Sequence, residues 1–419
     1  MAANMTRTHT HPLITAALVL FLASVASGFT CNMAAIPTRL RSGKKEAKES
    51  WFVSLGDKVA TLLVKSPVFP VLRNQAKQTM KTSAEEAGVK WDDEVARLQA
   101  LKDWDAAKRE LEEEAGGPVE VPDYYKKPFH AYDKGNLEWS AAFEQELASK
   151  AVGVRNFPSA GAKGEAKLRG AYSDKMVELG VVVEEGGTIV DFGCGTGTSC
   201  VELAQLFPHA SSVTGVDLSP EMVTVGRHFL EERNVDSRIS LKLADMASTG
   251  LKDDSASMVS ISLVLHELPG EARRAVLAEA ARILRPGGTL SIFEMDPSAP
   301  GYKKLRKNAM LFSILRSTEP YLDDYFEGCT SGDFWSELND AGFSVIRVKE
   351  GTGRHFVVAA LKPGLMDLRC SDEERMARDE HFSSPFQGLA SQGNAVVPAL
   401  ALAVLVSAGI TLSHAPLPH

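Results

Sequence analysis

A short apolar strand runs into three closely spaced glycines and then a helix, and this arrangement limits the possible folds of the chain more than any other. The strand Thr-Ile-Val-Asp-Phe is followed by Gly193, Gly195 and Gly197. Glycines at the carboxyl end of a parallel strand let the backbone turn tightly and approach a nucleotide-like ligand. The next apolar strand ends at Asp217, where a carboxylate can accept hydrogen bonds from ribose hydroxyls. The pattern predicts a nucleoside-cofactor site on a βαβ unit.

Two cofactors compete for such a turn, a dinucleotide and S-adenosylmethionine. The dinucleotide fingerprint needs a third glycine where this chain has Thr198. Asp191, just before the turn, would repel a pyrophosphate but suits the sulfonium and ammonium groups of the methyl donor. Cys194 lies inside the turn with no base nearby, so we expect it to pack rather than react. Electrostatics therefore favours S-adenosylmethionine.

From residue 164 to 363 the chain resembles the class I S-adenosylmethionine-dependent methyltransferases. The similar segments are the glycine motif, the second-strand motif, the third-strand acid, the turn into the fifth strand and the terminal hairpin, at residues 190–197, 215–222, 244–246, 285–288 and 342–361. The resemblance implies an α/β, Rossmann-like sheet, mostly parallel with its last strand antiparallel, preceded by a helical N-terminal extension. It implies S-adenosylmethionine as cofactor, bound by Asp191, Gly193, Cys194, Gly195, Gly197, Asp217, Leu218, Asp245 and Met246.

One titratable side chain is a candidate for the chemistry of methyl transfer. His266 follows the fourth predicted strand, residues 258–265, whose carboxyl end faces the methyl group in this fold. An imidazole of ordinary pKa, about 6.5, could deprotonate a hydroxyl or orient the acceptor. The alternative is a loop-capping role. Glu267 could hold the imidazole tautomer or simply begin the next helix.

Two aromatic segments outside the glycine motif, residues 130–139 and 317–326, are candidates for contact with the acceptor. One could fold over the donor as a lid, the other could line the acceptor pocket, and packing between domains is the alternative for both. The substrate-contact candidates are Tyr132, Asn136, Tyr321 and Tyr325, beside Asp133, Trp139 and Phe326. These segments, with residues 266–269, also resemble a plant and algal plastid methyltransferase group without an assigned substrate.

Composition divides the chain into five parts. Residues 1–45 hold five basic residues, no acid and a short apolar core, like a bipartite signal and transit leader, with a secretory signal as the alternative. Residues 46–160 form the helical extension and 161–364 the methyltransferase domain, followed by a polar linker at 365–393. Residues 394–419 are apolar and uncharged, which fits a membrane anchor, a helix packed on the domain or an unstructured end. We expect a plastid location.

The charge of −8 argues against a nucleic-acid partner, and removing the five basic residues of the leader takes it to −13. The five cysteines form no CxxC pair, so we expect no metal site. The function we predict is methyl transfer to a small or lipophilic acceptor of quinone, phenolic or isoprenoid type. The alternatives are a donor-binding assembly or regulatory protein without catalysis, a protein methyltransferase and, less favoured, an NAD-dependent enzyme. Oligomeric state does not follow from these residues.

Overall fold

The alternating apolar runs of the sequence form one seven-stranded sheet. A computed structural model describes residues 69–130 and 132–364, and its strands lie in the order β3-β2-β1-β4-β5-β7-β6. They are β1 (Thr188–Phe192), β2 (Ser212–Asp217), β3 (Ile239–Leu243), β4 (Ala256–Ser262), β5 (Leu284–Met295), β6 (Ser344–Thr352) and β7 (His355–Leu361). Only β7 runs antiparallel, between β5 and β6. The predicted fold class is confirmed.

Helices cover both faces of this sheet and precede it. They are α1 (Phe69–Glu86), α2 (Trp91–Leu101), α3 (Trp104–Glu114), α4 (Trp139–Asn156), α5 (Gly164–Glu178), α6 (Thr198–Leu206), α7 (Pro220–Glu232), α8 (Gly270–Ile283), α9 (Pro300–Arg306), α10 (Ala309–Thr318), α11 (Leu322–Ser331) and α12 (Asp333–Asp340), with short 3₁₀ turns at Pro158–Lys163 and Leu265–Glu267. The start of α7 is encoded locally. Ser219 caps this helix by accepting the Met222 N–H, and Pro220 follows at the first helical position.

Successive side chains of the strands point to opposite faces of the sheet and form two separate apolar cores. Phe192 and Ile261 face α8, α11 and α12, whereas Ile189 and Met258 face α5 and α6. All four side chains are fully buried. Because a strand points successive side chains to opposite faces, a sheet with helices on both sides needs apolar residues at nearly every position, which the sequence of β4 supplies.

The N-terminal helices pack on α7 and on the carboxyl edge of the sheet. Trp104 and Phe143 meet Met222 and Phe229 in a separate apolar cluster. Ion pairs surround this contact: Arg97–Glu232, Lys108–Glu221, Glu114–Arg227 and Glu146–Arg233. Each pair has a partner that is at least partly exposed, and such pairs add little stability, so the buried aromatic contact contributes most to holding the helices in place.

The strand limits differ from the sequence prediction in two places. We predicted that β4 reaches Leu265, but it ends at Ser262, and Leu263 adopts a left-handed φ of 57°. His266 therefore lies in the 3₁₀ turn beyond the strand. The predicted turn at residues 285–288 is part of the long β5, whose pairing with β4 shifts register after Ala256. Apolar composition alone does not show where pairing stops.

Several predictions concern residues outside the described ranges. The leader (1–45), the linker (365–393) and the apolar tail (394–419) all fall there. Within residues 69–130 and 132–364, no helix combines the length and hydropathy that crossing a membrane requires.

Candidate active site

The glycine turn is held against the end of β2 by backbone hydrogen bonds. The N–H groups of Gly193 and Cys194 donate to the Val216 carbonyl at 2.8 and 3.2 Å. The Gly195 N–H donates to Asp217 Oδ2 at 2.8 Å. The φ angles at 193, 195 and 197 are 68°, 53° and 84°, a region that residues with a Cβ rarely adopt. The sequence prediction of a tight backbone platform corresponds to this geometry.

Two aspartates flank the turn, and one of them has an unused oxygen. Asp217 accepts from Gly195 and, through Oδ1, from the Ser219 N–H at 2.9 Å. Asp191 accepts from Ser199 Oγ at 2.5 Å through Oδ2, while its Oδ1 has no hydrogen-bond partner among the described residues. Asp191 is only 1% exposed. A buried, unpaired carboxylate oxygen is costly unless a cationic or donor group approaches it, so the turn fits a positively charged ligand.

Cys194 packs inside the turn, in the manner the sequence analysis expected. Its Sγ and that of Cys200 lie so close to Gly215 that a Cβ there would come within 2.6 and 2.7 Å of them. A hydrogen bond with Cys200 and burial raise the pKa of the Cys194 thiol well above its usual range. A thiol in that state is a poor nucleophile.

The next predicted contacts lie along the same carboxyl edge. Leu218 is buried directly after β2. Asp245 follows β3, accepts the Ala247 N–H through Oδ1 at 2.8 Å and remains partly exposed. Met246 is half-buried against the core. The Ala244 N–H donates to the Asp217 carbonyl at 3.0 Å, which joins the ends of β2 and β3. The structure therefore brings the predicted ribose and adenine residues to neighbouring strand ends.

A segment from the N-terminal extension covers this edge. The Asn136 carbonyl accepts from Ser219 Oγ at 2.7 Å, and its side chain bonds the Tyr125 hydroxyl. Enclosure by the protein and the negative charges of Asp217 and Glu267 raise the pKa of Tyr125 well above 10. The hydroxyl of Tyr125 thus lies between the predicted ribose site and the fourth strand end.

The adjacent Tyr124 covers the adenine side in the same way. Partial burial of its hydroxyl and the negative charge of Asp245 raise the pKa of Tyr124 to about 12. The Tyr321 hydroxyl donates to the Tyr124 carbonyl at 3.5 Å, and Lys127 lies over the Tyr321 ring. Of the four substrate-contact candidates, Asn136 and Tyr321 are thus part of the cover, with Tyr124 and Tyr125 beside them.

The other two candidates lie elsewhere. Tyr132 turns towards the N-terminal helices, where its hydroxyl donates to Glu144 at 2.6 Å and Lys77 lies over its ring. Tyr325 is fully buried, and its hydroxyl donates to the Met295 carbonyl at 3.1 Å. Its ring meets His266 edge-on at 6.3 Å between centroids. Tyr325 therefore supports His266 from the core side and has no surface for an acceptor.

Gln145 of α4 lies directly on the glycine turn. Its Oε1 accepts from the Thr196 N–H at 2.8 Å and from Thr196 Oγ1 at 2.5 Å. A Cβ added to Gly195 would come within 2.0 Å of Gln145 Nε2. Gln145 thus closes the turn from the N-terminal side, a contact that sequence motifs do not indicate because the residue is 51 positions upstream of its partner.

His266 is held by Glu294 rather than by its neighbour Glu267. His266 Nδ1 and Glu294 Oε1 are 2.7 Å apart, and both side chains are almost completely buried. Burial disfavours the charged form of the Glu294 carboxyl. The His266 side chain and the backbone N–H groups of Met295 and His266 outweigh this effect and lower the pKa of Glu294. Because an ionised carboxylate only accepts hydrogen bonds, Nδ1 carries the proton and Nε2 faces away.

Nε2 of His266 faces a second carboxyl, Glu319. The distance from Nε2 to Glu319 Oε2 is 3.9 Å, too long for a hydrogen bond, and this oxygen has no partner among the described residues. The other oxygen, Oε1, lies 3.1 Å from His130 Nε2. His130, with a φ of 50°, also lies 3.5 Å from Glu267. Two histidines and three glutamates therefore meet at the ends of β4 and β5.

The charges of this cluster change the expected protonation of His266. Burial disfavours the imidazolium, but Glu294 and Glu319 outweigh it and raise the pKa of His266 to about 10. Burial likewise opposes the charged form of His130, and Glu319 and Glu267 outweigh it and raise its pKa to about 9. The ordinary pKa assumed from the sequence is thus not the one this environment produces. His266 is therefore charged at neutral pH and carries a proton on Nε2 as well as on Nδ1.

The sequence analysis missed four of these residues, and only some left a signal. Glu294 is an acid near the end of a mostly buried strand, which is unusual unless the acid is paired. His130 and Glu319 lie in the aromatic segments that had been singled out. Gln145 has no local signal. The described part of the chain contains no group of three or more His, Cys, Asp or Glu side chains placed to hold a metal ion.

Comparison with known proteins adds the family. A family model described as a methyltransferase domain matches residues 189–288. A ubiquinone/menaquinone biosynthesis C-methyltransferase of Geobacter sp. (strain M21) is 30% identical over 177 residues, which are 40% of this chain and 74% of that protein. A carboxy-S-adenosyl-L-methionine synthase of Chromohalobacter salexigens is 36% identical over 128 residues, 29% of this chain and 47% of that protein.

Other proteins are similar to this chain at lower sequence identity. An arsenite methyltransferase of Halobacterium salinarum is 27% identical over 39% of each chain. The chain thus spans less than half of this protein and of the synthase. Among solved structures, a methyltransferase of Aquifex aeolicus is 20% identical with a TM-score of 0.34, over 46% of this chain and 89% of that one. A Haemonchus contortus phosphoethanolamine N-methyltransferase is 15% identical with a TM-score of 0.40, over 58% and 60%.

Proposed function

The chain belongs to the class I S-adenosylmethionine-dependent methyltransferases, and on that basis we propose that it transfers a methyl group to a small acceptor with a phenol-type hydroxyl. The observation that carries the proposal is the position of His266 Nε2, 3.9 Å from the unpartnered Oε2 of Glu319. Both atoms lie at the strand ends where this fold presents the methyl group.

The residues of the turn fit S-adenosylmethionine. Asp217 and Asp245 would hold the ribose and adenine, and the unpaired oxygen of Asp191 suits a cationic ligand. When bound, the donor supplies a methyl group already activated by its sulfonium. The protein's part is therefore to align the acceptor and to exclude water. Tyr125 and Gln145, which cover the turn, serve the second task.

The cluster explains how a hydroxyl would be recognised and ionised. An oxygen can lie about 2.8 Å from both His266 Nε2 and Glu319 Oε2, because hydrogen bonds of that length span their separation. In this position the hydroxyl donates its proton to Glu319, and the resulting oxyanion accepts from the imidazolium of His266. Such a charge-assisted hydrogen bond stabilises a phenolate, which is a better carbon or oxygen nucleophile than the phenol.

The named relatives favour a ring-carbon acceptor. The Geobacter protein is named as a C-methyltransferase of ubiquinone and menaquinone biosynthesis, and a Listeria welshimeri relative, 26% identical over 76% of its length, as a demethylmenaquinone methyltransferase. Quinols carry phenol-type hydroxyls that activate the neighbouring carbon. We therefore propose hydroquinones and simple phenols ahead of isoprenoid alcohols, whose hydroxyls ionise much less readily.

The first test measures donor binding by the full chain. Isothermal titration with S-adenosylmethionine should give saturable binding that Asp217→Ala weakens at least about tenfold, equivalent to about 1.4 kcal/mol. NADH titrated into the same sample should not bind. A folded sample that does not bind the methyl donor would refute the cofactor assignment.

The second test measures transfer of a labelled methyl group to hydroquinone and phenol probes. His266→Gln and Glu319→Gln should each lower kcat by about 10²- to 10⁴-fold, the usual range for acid–base groups. His228→Gln is the matched control, since His228 packs against Trp104 in the N-terminal cluster. Donor binding without transfer to any probe would favour a donor-binding regulatory protein, and labelling of added proteins alone would favour a protein methyltransferase.

Location is a separate proposal that rests on the two ends of the sequence. We propose that residues 1–45 direct the chain to a plastid, as in the plastid methyltransferase group it resembles, and that residues 394–419 attach it to a membrane. Residues 1–45 fused to a fluorescent protein should accumulate in plastids of an algal host, and secretion of the fusion would refute this. Carbonate extraction should leave the full chain in the membrane fraction and release a chain that ends at residue 393.

A further inference from the structure

A cavity of about 590 Å³ with a basic lining lies at the C-terminal end of α4. It is a cleft, open to solvent, between the end of α4, α5 and the turn between β6 and β7, and its polar lining is Arg155, Asn156, Lys167, Asp174, Thr352 and Arg354. Three cations against one acid give this lining a net charge of +2. Small residues such as Gly170, Ala171 and Gly353 line the rest and leave room for a ligand.

The two arginines of the cavity have no counterion within residues 69–130 and 132–364. Among the described residues neither the exposed Arg155 nor the half-buried Arg354 forms an ion pair, whereas the buried Arg273 pairs with Glu337. Arg155 is exposed, yet partial desolvation by the walls of the cleft and the like charge of Arg354 lower the pKa of Arg155. Two guanidinium groups close enough to repel each other, facing a cavity, are stabilised by an anion between them.

The cavity is at the same edge of the sheet as the active site. The Asp296 N–H, directly after β5, donates to the Arg354 carbonyl at 2.9 Å, so the hairpin turn adjoins the strand that carries Glu294. Tyr302 is buried next to the hairpin turn, since the Gly301 N–H donates to the Gly353 carbonyl at 2.9 Å, and the charges of Arg354 and Glu294 both act on the Tyr302 hydroxyl.

Helix α4 sets the distance between the cavity and the methyl donor. Gln145 lies on the glycine turn and Arg155 lines the cavity, and ten residues of helix span about 15 Å. From the end of β4, where His266 lies, the hairpin before β7 is two strand spacings away, about 10 Å. The cavity is thus too far from the turn to hold the donor but within reach of an acceptor at His266.

We propose that this cavity binds an anionic group of the methyl acceptor, a carboxylate or a phosphomonoester, about 5–10 Å from the hydroxyl that meets His266 and Glu319. Arg155 and Arg354 are then specificity-determining residues that position the acceptor. The inference rests on the proposed methyl transfer and deepens it, since it favours phenolic acids or phenolic phosphates over uncharged lipophilic acceptors.

The test compares binding with kinetics in the full chain. Inorganic phosphate and benzoate are titrated calorimetrically into the wild type, the double variant Arg155→Gln/Arg354→Gln and the control Arg109→Gln, whose residue is exposed on α3. We expect the wild type and control to bind at least one probe, and the double variant to bind it at least about tenfold more weakly. Preference for phosphate indicates a phosphomonoester, and preference for benzoate a carboxylate.

Methyl transfer to 4-hydroxybenzoate and to phenol then separates positioning from chemistry. The double variant should raise KM for the charged acceptor at least about tenfold, with kcat and the phenol reaction unchanged. Equal anion affinity in wild type and double variant, or the same KM change for both acceptors, would overturn the inference while methyl transfer to phenol still upholds the proposed function. Anion binding without donor binding would instead refute the proposed function and, with it, the assignment of the anion to a methyl acceptor.

Discussion

The contact between Gln145 and the glycine turn predicts an energetic coupling that can be measured. Gly195→Ala has two costs. An alanine at a φ of 53° loses about 1–2 kcal/mol, and its Cβ would lie 2.0 Å from Gln145 Nε2. The glutamine must therefore move away and lose its two hydrogen bonds to Thr196, a further cost of about 1–2 kcal/mol. We expect Gly195→Ala to lower the free energy of unfolding by about 2–4 kcal/mol.

The two costs are separable because only the second depends on Gln145. Gln145→Ala alone removes the same hydrogen bonds, about 1–2 kcal/mol, and clears the space that the new methyl group needs. In the double variant the hydrogen bonds are lost once instead of twice. The double variant should therefore be about 1–2 kcal/mol more stable than the sum of the single variants predicts.

Urea unfolding followed by circular dichroism measures all four proteins of this cycle. Gln145→Glu is the control, because a glutamate of the same length keeps an acceptor oxygen for the Thr196 N–H and still occupies the space beside Gly195. It should retain most of the coupling. Additive effects within about 0.3–0.5 kcal/mol would show that Gln145 does not lie on the turn in solution and would contradict this account of the contact.

Three further predictions concern His266, Asp191 and the buried Tyr325. The pKa of His266 is raised from 6.5 to about 10, so its charged form stabilises the fold below pH 6.5 and this contribution is lost as the pH rises towards 10. Urea unfolding at several pH values should show that loss, reduced in Glu294→Gln. Asp191→Asn keeps an acceptor for Ser199 but removes the charge, so calorimetry should show donor affinity at least about tenfold weaker with no loss of stability. Tyr325→Phe leaves the Met295 carbonyl unpaired and should cost about 1 kcal/mol in thermal unfolding, with KM for the acceptor unchanged; a raised KM would contradict its place in the core.

The sheet, the glycine turn and the grouping of the residues predicted to bind the methyl donor follow from the sequence alone. Short apolar runs separated by helical periods predict a parallel sheet, because a crossover between parallel strands needs a helix. Glycines 193, 195 and 197 predict left-handed backbone, because other residues rarely adopt it. Asp217 and Asp245 come together without further information, since the carboxyl ends of parallel strands lie along one edge.

The side chains that complete the site, in contrast, are known only from the folded structure. The partner of His266 is Glu294, 28 residues away, and not the adjacent Glu267. Tyr132 and Tyr325 were predicted to contact the acceptor because they are aromatic and lie in the two aromatic segments. In the structure Tyr132 faces the N-terminal helices and Tyr325 faces the core. Local periodicity gives the face of a helix or strand but not the direction of a side chain in an irregular loop.

The same reason applies to contacts between distant parts of the chain. Gln145 reaches Thr196 because α4 crosses the edge of the sheet, and Arg155 and Arg354 meet because that helix ends beside the β6–β7 turn. The pKa of His266 likewise depends on Glu294 of β5 and on Glu319 of the α10–α11 connection, which are distant in the sequence. Hydrogen bonds and charge interactions act over a few ångströms of space, whatever the separation along the chain, so their partners are specified only when the packing of the helices on the sheet is known.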